Sequence, residues 1–139
     1  MDLSISWPAV AVAIVAGMAI AWIWYSDWGL VGCSWRKLTG VTKEDSDRSG
    51  KRPFVVLVAS IVVTALALAA ASSIASGFFG TDSFWGAVAV GLVAWLGFSL
   101  TTLAQHNGFE QKPVRLTLIN SAYQLVLFLG MAVPIGLVR

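Results

Sequence analysis

The chain has 139 residues, of which 58% are hydrophobic and only 12% carry a formal charge, and its mean hydropathy is +0.80. A soluble domain of this size could not bury so much apolar surface, so the composition indicates an integral membrane protein. The net charge of +2 is small, and the basic residues lie beside apolar runs. This placement argues against nucleic-acid binding.

Four apolar runs follow one another along the chain, at about 7–26, 54–76, 84–105 and 114–137. A hydrocarbon core of roughly 30 Å needs about 20 helical residues, so each run is long enough to cross a bilayer. Because no water reaches that core, each span must satisfy its own backbone groups and should be a helix. We therefore predict one all-α membrane domain, residues 1–139, with four transmembrane helices.

The basic residues predict which side of the membrane each loop faces. The loop 27–53 holds six of the nine Lys and Arg residues, and Lys112 lies in the last loop. The loop between the second and third runs has none. Since cytoplasmic loops collect Lys and Arg, we expect both basic loops inside and both termini outside. Arg139 is then the one basic residue on the far side.

A short amphipathic segment follows the first run. Trp28 and Trp35 recur there at helical spacing, and Arg36 and Lys37 come next. Tryptophan suits the headgroup boundary, and basic side chains beside it would meet anionic lipid. We therefore predict a short interfacial helix after the first span, with membrane lipid as its partner.

The chain contains a weak internal similarity. Residues 7–16 and 85–94 align without gaps and are identical at seven of ten positions. Each segment is followed by a basic loop and then by a proline near the start of the next run. One interpretation is a pair of parallel-repeat hairpins, as in some transporters. The other is that spans rich in Ala and Val resemble one another by chance.

Small residues repeat at helical spacing on the first and third helices. They are Gly17, Ala21, Gly91 and Gly97. Small residues let membrane helices approach closely, so we expect helix contacts at these positions, within the bundle and between copies in a homo-oligomer. On the third helix the same face should continue to Thr101.

Polar side chains within the runs lie at similar depths toward the basic side. They are Tyr25, Ser26, Thr101, Thr102, Asn120, Tyr123 and Gln124. Two interpretations stay open: they bind a ligand, or they only link helices through hydrogen bonds.

The residues that chemistry or proton coupling would require are missing from the span centres. No carboxylate or cation lies there, although coupled pumps usually hold one. His106 has no second His or nearby Cys with which to bind a metal. No phosphate-binding loop or nucleophile motif is present either. We expect a protein that is not an enzyme and uses no metal or cofactor.

Several short motifs occur in a characteristic order. They are Trp24-Tyr25-Ser26, Trp35 followed by Gly40, Gly97-Phe98 with Thr101-Thr102, Phe109-Glu110, and Leu118-Ile119-Asn120 with Tyr123. In these the chain resembles a family of small bacterial four-span membrane proteins catalogued only as a domain of unknown function. The resemblance implies a common fold and a place in the bacterial inner membrane, and it implies no activity. Gln124 stands where the family commonly has a histidine.

Two functions fit these observations. The polar layer predicts a carrier or channel for a small neutral solute. The alternative, which the small-residue faces and the Trp-rich edge fit, is a structural or partner-binding protein that packs into homo- or hetero-oligomers.

Overall fold

The computed structural model describes residues 3–138, and that part of the chain contains helices and turns but no strand. The helices are α1 (Trp7–Tyr25), α2 (Gly32–Thr39), α3 (Lys43–Arg48), α4 (Arg52–Phe79), α5 (Phe84–Ala94), α6 (Thr101–Phe109) and α7 (Val114–Leu137). A π-helical segment, Trp95–Leu100, joins α5 to α6 without a break. Arg139, which the charge pattern places alone on the far side, lies outside the described residues.

Four of these elements are long and apolar enough to cross a membrane. They are α1 with 19 residues, α4 with 28, the continuous helix Phe84–Phe109 with 26, and α7 with 24. The prediction of an all-α membrane fold with four spans is confirmed. The second helix is longer at both ends than the predicted 54–76, and the third continues to Phe109 rather than to residue 105.

Local chemistry explains where the spans begin and end. The Ser6 hydroxyl accepts a hydrogen bond from the Ala9 amide at the start of α1, and Ser83 does the same for Gly86 at the start of α5. Serine is favoured there because the first N–H groups of a helix have no partner within it. At the end of α4, Gly80 adopts a left-handed conformation with φ of 68°, which glycine tolerates and which terminates the helix.

The fourth helix, α7, is the centre of the packing. It contacts α1 and α5 most extensively and α4 less, while α1 and α5 lie diagonally opposite and do not contact each other. The core between α1, α4 and α7 is apolar and closed. Ala13, Ile61, Ala65 and Met131 are at most 1% exposed there.

The predicted small-residue positions fall into two groups. Gly17, Ala21 and Gly91 are buried. A Cβ atom on Gly17 would lie 3.0 Å from Ile61 and 3.2 Å from the Met131 sulfur, so the helices meet where glycine leaves room. Gly97 is different: it is exposed, and a Cβ atom there would have no neighbour within 4 Å in the part of the chain that the structure describes. Its assignment to a packing face within the bundle is wrong.

The π-helical segment explains this correction. Ala87 and Gly91 face the bundle as predicted, but Thr101 on the same extrapolated face is exposed. A π turn holds one extra residue, which rotates the following helix by about 100° relative to an unbroken α-helix. The inward face therefore continues through Leu103 and Asn107 instead.

The two hairpins of the proposed repeat are only partly equivalent. Ala9 and Ala13 of α1 are buried, and so are their counterparts Ala87 and Gly91 of α5. However, α1 packs on α7 far more extensively than α5 packs on α4, although a two-fold relation would make these contacts alike. The repeat therefore stays a hypothesis.

The ends of the bundle differ in chemistry. We call the end that carries the loops 26–51 and 110–113 the basic end, because the Lys and Arg residues of both loops lie there. We call the other the serine-rich end, because Ser4, Ser6, Ser72 and Ser73 meet there. Exposed aromatic side chains ring both ends, as expected where a membrane meets water. They include Trp7, Phe79 and Trp85 at the serine-rich end and Trp22, Phe54 and Phe109 at the basic end.

Candidate functional site

A tight turn at the basic end folds α2 back against α1. The amides of Leu30 and Val31 donate to the carbonyls of Ile23 and Trp24, at 3.2 and 3.1 Å. These bonds satisfy carbonyls that the last turn of α1 would otherwise leave unpaired. A Cβ atom on Gly32 would lie 2.1 Å from the Ser26 carbonyl oxygen, so only glycine fits.

The turn brings Trp35 of α2 onto the aromatic end of α1. The ring of Trp35 lies 5.8 Å from that of Tyr25, edge to face, and Tyr25 packs the same way on Tyr123 of α7 at 4.8 Å. Edge-to-face pairs at these distances are favourable beyond the apolar area they bury. The stack fixes α2 over the gap between α1 and α7.

Beneath Trp35 lies a recess of about 340 Å³, lined by Tyr25, Trp35, Leu103, Asn120, Tyr123 and Gln124. We call this the basic-end recess. It has room for several waters or for one small molecule. Within it the Tyr25 hydroxyl donates to the Asn120 side-chain oxygen at 2.6 Å, which ties α1 to α7. The structure therefore brings together four of the predicted ligand-binding residues: Tyr25, Asn120, Tyr123 and Gln124.

Several polar groups of the recess have no partner within residues 3–138. The Tyr123 hydroxyl, the Asn120 amide nitrogen and the Gln124 amide make no hydrogen bond there. Tyr123 and Gln124 also border a neighbouring recess of about 300 Å³ between α4 and α7. Polar groups in an apolar setting normally find partners, so these are free to bind water or a ligand.

The other predicted ligand-binding residues lie elsewhere. Thr101 and Thr102 are exposed, and their hydroxyls donate to the carbonyls of Gly97 and Phe98 in their own helix. The Ser26 hydroxyl likewise donates to the Trp22 carbonyl. The π turn carries both threonines away from α7, which corrects the inward face that was predicted to continue to Thr101.

Ion pairs lie in both loops of the basic end. Arg36 of α2 donates to the Asp27 carboxylate at 2.6 Å and to the Ser46 hydroxyl at 3.0 Å, so one side chain joins the turn, α2 and α3. The hydrogen bond from Arg36 holds the pKa of Asp27 below its usual range, which keeps this carboxylate ionised. Lys112 pairs with Glu110 at 2.7 Å in the other basic loop. The recess itself has no charged side chain in its lining.

Of the two other residues predicted for the interfacial helix, one lies before α2 and one lies on it. Trp28 precedes α2 rather than belonging to it, is 64% exposed, and packs edge-on against Trp22 at 4.9 Å. Lys37 is exposed on α2. A helix is present after the first span, and its depth relative to lipid stays a prediction.

Sequence reasoning missed two walls of the recess. The predicted interfacial role of Trp35 gave no sign that this side chain lies half-buried over Tyr25. Leu103 carries no polar signal, and the π turn alone directs it inward. The pairing of Gly29 with Gly32 was the available sign of a sharp turn that returns Trp35 to the bundle.

A family model described as "Protein of unknown function (DUF1761)" matches residues 8–136, which is nearly the whole chain. The chain belongs to the DUF1761 family. The matched range contains every residue of the basic-end recess of this DUF1761 protein. No curated protein and no solved structure matches it. Because the family description names no activity, the function must be argued from the geometry.

Proposed function

We propose that this DUF1761 protein is a non-enzymatic membrane carrier for a small neutral solute, which binds in the basic-end recess. The observation that carries the proposal is a set of groups on α7 that have no partner in the described part of the chain: the Tyr123 hydroxyl, the Asn120 amide nitrogen and the Gln124 side-chain amide. Hydroxyl and amide groups offer both donors and acceptors, so the ligand would do the same.

The absence of charge from the lining supports a neutral ligand. Transferring an ion from water into a partly apolar site is costly unless a group of opposite charge is present. None of the described residues that line the recess carries a charge. The nearby charges of Asp27 and Arg36 are already paired with each other. A hydroxyl- or amide-bearing molecule would replace its water contacts with those of Asn120, Tyr123 and Gln124.

The closed core supports a carrier rather than an open channel. Tyr123 at the basic-end recess and Ile135 near the serine-rich end both lie on α7, separated by about 18 Å at 1.5 Å per residue. Between them, Ala13, Ile61 and Met131 are at most 1% exposed. Because a packed apolar layer excludes water, a polar solute would cross only if the helices rearranged.

We further propose that the basic end faces the cytoplasm of a bacterium, with both termini outside its inner membrane. The concentration of Lys and Arg in the loops of that end supports this orientation. Exposed Trp28 and Lys37 would then contact headgroups of the inner leaflet.

A second function is favoured by a groove between α4 and α5. Its volume is about 720 Å³, and its walls include Ala71, Ala75, Gly86 and Ala89. Small residues permit close helix contacts, so a second copy of the chain could pack here in a structural homo-oligomer. In this alternative the basic-end recess would hold only water.

The test of the carrier function replaces the Tyr123 hydroxyl. Proteoliposomes containing the wild type should take up glycerol or urea faster than protein-free liposomes, measured by light scattering after an osmotic step. Tyr123→Phe should slow subsaturating uptake by about 2- to 10-fold, the effect of losing one hydrogen bond to the solute. Its melting temperature should stay unchanged, because the hydroxyl has no hydrogen-bond partner among residues 3–138.

Two controls complete this experiment. Tyr25→Phe makes the same chemical change but breaks the bond to Asn120, so it should lower stability by about 0.6–2 kcal/mol. Thr102→Val removes an exposed hydroxyl outside the recess and should leave uptake unchanged. Two results together would favour the structural alternative. They are solute uptake no faster than in protein-free liposomes, and a measured protein mass that is a multiple of the mass of one chain.

A further inference from the structure

A second polar recess lies at the serine-rich end, on the opposite side of the closed core. Its volume is about 490 Å³, and the serines Ser4, Ser6, Ser72 and Ser73 line it together with Asp82. Ala9, Ala69 and Ile135 form its inner wall against the core. We call it the serine recess. None of its residues belongs to the polar layer that the sequence indicated.

Most of these serines also have structural roles. The Ser6 hydroxyl caps α1 by accepting from the Ala9 amide, and the Ser73 hydroxyl accepts from the Ser4 amide at 3.0 Å. The second bond fastens the segment before α1 to α4. These two hydroxyls hold the walls of the recess in place.

Ser72 has no such role. It is only 7% exposed, it lines the recess, and its hydroxyl makes no hydrogen bond within the described part of the chain. A serine in a helix can usually bond its hydroxyl to the carbonyl one turn earlier, as Ser60 and Thr64 do in α4. A buried hydroxyl left without a partner costs free energy unless water or a ligand supplies one.

From this geometry we infer that the serine recess is a second binding site for a small neutral solute bearing hydroxyl or amide groups, with the Ser72 hydroxyl as a direct contact. The inference that this solute is the one bound at the basic end rests on the function proposed above. Hydroxyls can donate and accept, which suits such a ligand, and the carboxylate of Asp82 in the lining disfavours anions.

Helix α7 lines both recesses and contains a proline beside the serine recess, which fits a solute path between them. Asn120, Tyr123 and Gln124 of α7 line the basic-end recess, and Ile135 lines the serine recess. Pro134 lies within the helix one residue from Ile135, and proline cannot donate to the carbonyl of Gly130. A helix bends most readily at such a position, so the wall of the serine recess can move relative to the core.

The first arm of the test measures whether water reaches Ser72. Cys33 is the only cysteine, so a Cys33→Ser background allows Ser72→Cys, Thr81→Cys and Ala65→Cys to be compared in sealed proteoliposomes. A membrane-impermeant methanethiosulfonate should label Ser72→Cys from the same side as exposed Thr81→Cys. Buried Ala65→Cys should stay unlabelled. No labelling of Ser72→Cys from either side would overturn the proposed site.

The second arm measures whether a solute contacts Ser72. Ser72→Ala should slow subsaturating glycerol uptake by about 2- to 10-fold, while Thr81→Ala at the same end leaves it unchanged. Unchanged uptake in Ser72→Ala would overturn the inference, because the recess would then hold water without contributing to solute binding. Tyr123→Phe tests the basic-end recess independently of Ser72→Ala. The binding site proposed in the serine recess can therefore be refuted while the one proposed at the basic end is supported. If the wild type carries no glycerol, the carrier function fails, and protection of Ser72→Cys from labelling by glycerol then decides whether the serine recess binds the probe.

Discussion

Gly17→Leu should prevent stable packing of the bundle. The Cβ atom alone would lie 3.0 Å from Ile61, 3.2 Å from the Met131 sulfur and 3.3 Å from Leu127, so the larger leucine side chain would have to displace these neighbours. Overpacking of a core typically costs about 1–3 kcal/mol, and this contact joins α1 to α7, the most extensive interface of the fold. Thermal unfolding in detergent, followed by circular dichroism, should show a large fall in melting temperature.

The matched control is Gly97→Leu. Both glycines belong to the small-residue pattern of the sequence, but a Cβ atom on Gly97 would meet nothing within 4 Å among residues 3–138. The variant should therefore melt within a few degrees of the wild type, or slightly higher, because leucine favours helix over glycine by up to about 1 kcal/mol. Equal losses in the two variants would contradict the rotation that the π-helical segment introduces.

Gly32→Ala should release α2 from the bundle. A Cβ atom at this position would lie 2.1 Å from the Ser26 carbonyl oxygen and 2.8 Å from that of Tyr25, so the backbone of the turn must open. The hydrogen bonds from Leu30 and Val31 would then break, each at a net cost of about 0.5–1.5 kcal/mol. A spin label on the native Cys33, in the first turn of α2, should become more mobile.

Gly108→Ala serves as the control for this change. It lies in α6 with nothing within 4 Å of the added Cβ atom, so the mobility of a label on Cys33 should not change. A spectrum of Gly32→Ala identical to that of the wild type would mean that α2 is not held by the turn.

The fold could be predicted from the sequence to the extent that it follows from apolar length. The spans are helical because every backbone group must be satisfied in lipid, and the four apolar runs of the sequence mark where these spans lie. The cap of α3 was equally readable, since Thr42 and Asp45 form the reciprocal bonds that such a pair makes at a helix start. Gly40 ends α2 with φ of 73°, a left-handed conformation that glycine commonly adopts at a helix C-terminus.

The site could be predicted only in part, because its residues depend on helix rotation and on one turn. Tyr25, Asn120, Tyr123 and Gln124 share a recess as the depth argument required. Thr101 does not, because hydropathy gives no sign of the extra residue in the π-helical segment. The serine recess was missed for another reason. Ser72 lies in an Ala-rich span, where a single hydroxyl barely changes the hydropathy, and its importance lies in the missing hydrogen bond.

The concentration dependence of glycerol uptake tests the carrier function most directly. Proteoliposomes holding the wild-type protein are mixed with increasing glycerol, and the initial uptake rate is corrected for protein-free liposomes of the same lipid. A carrier must bind, rearrange around its closed core and release, so the corrected rate should rise and then saturate. A corrected rate that increases linearly without limit, or that does not exceed zero, would contradict the account.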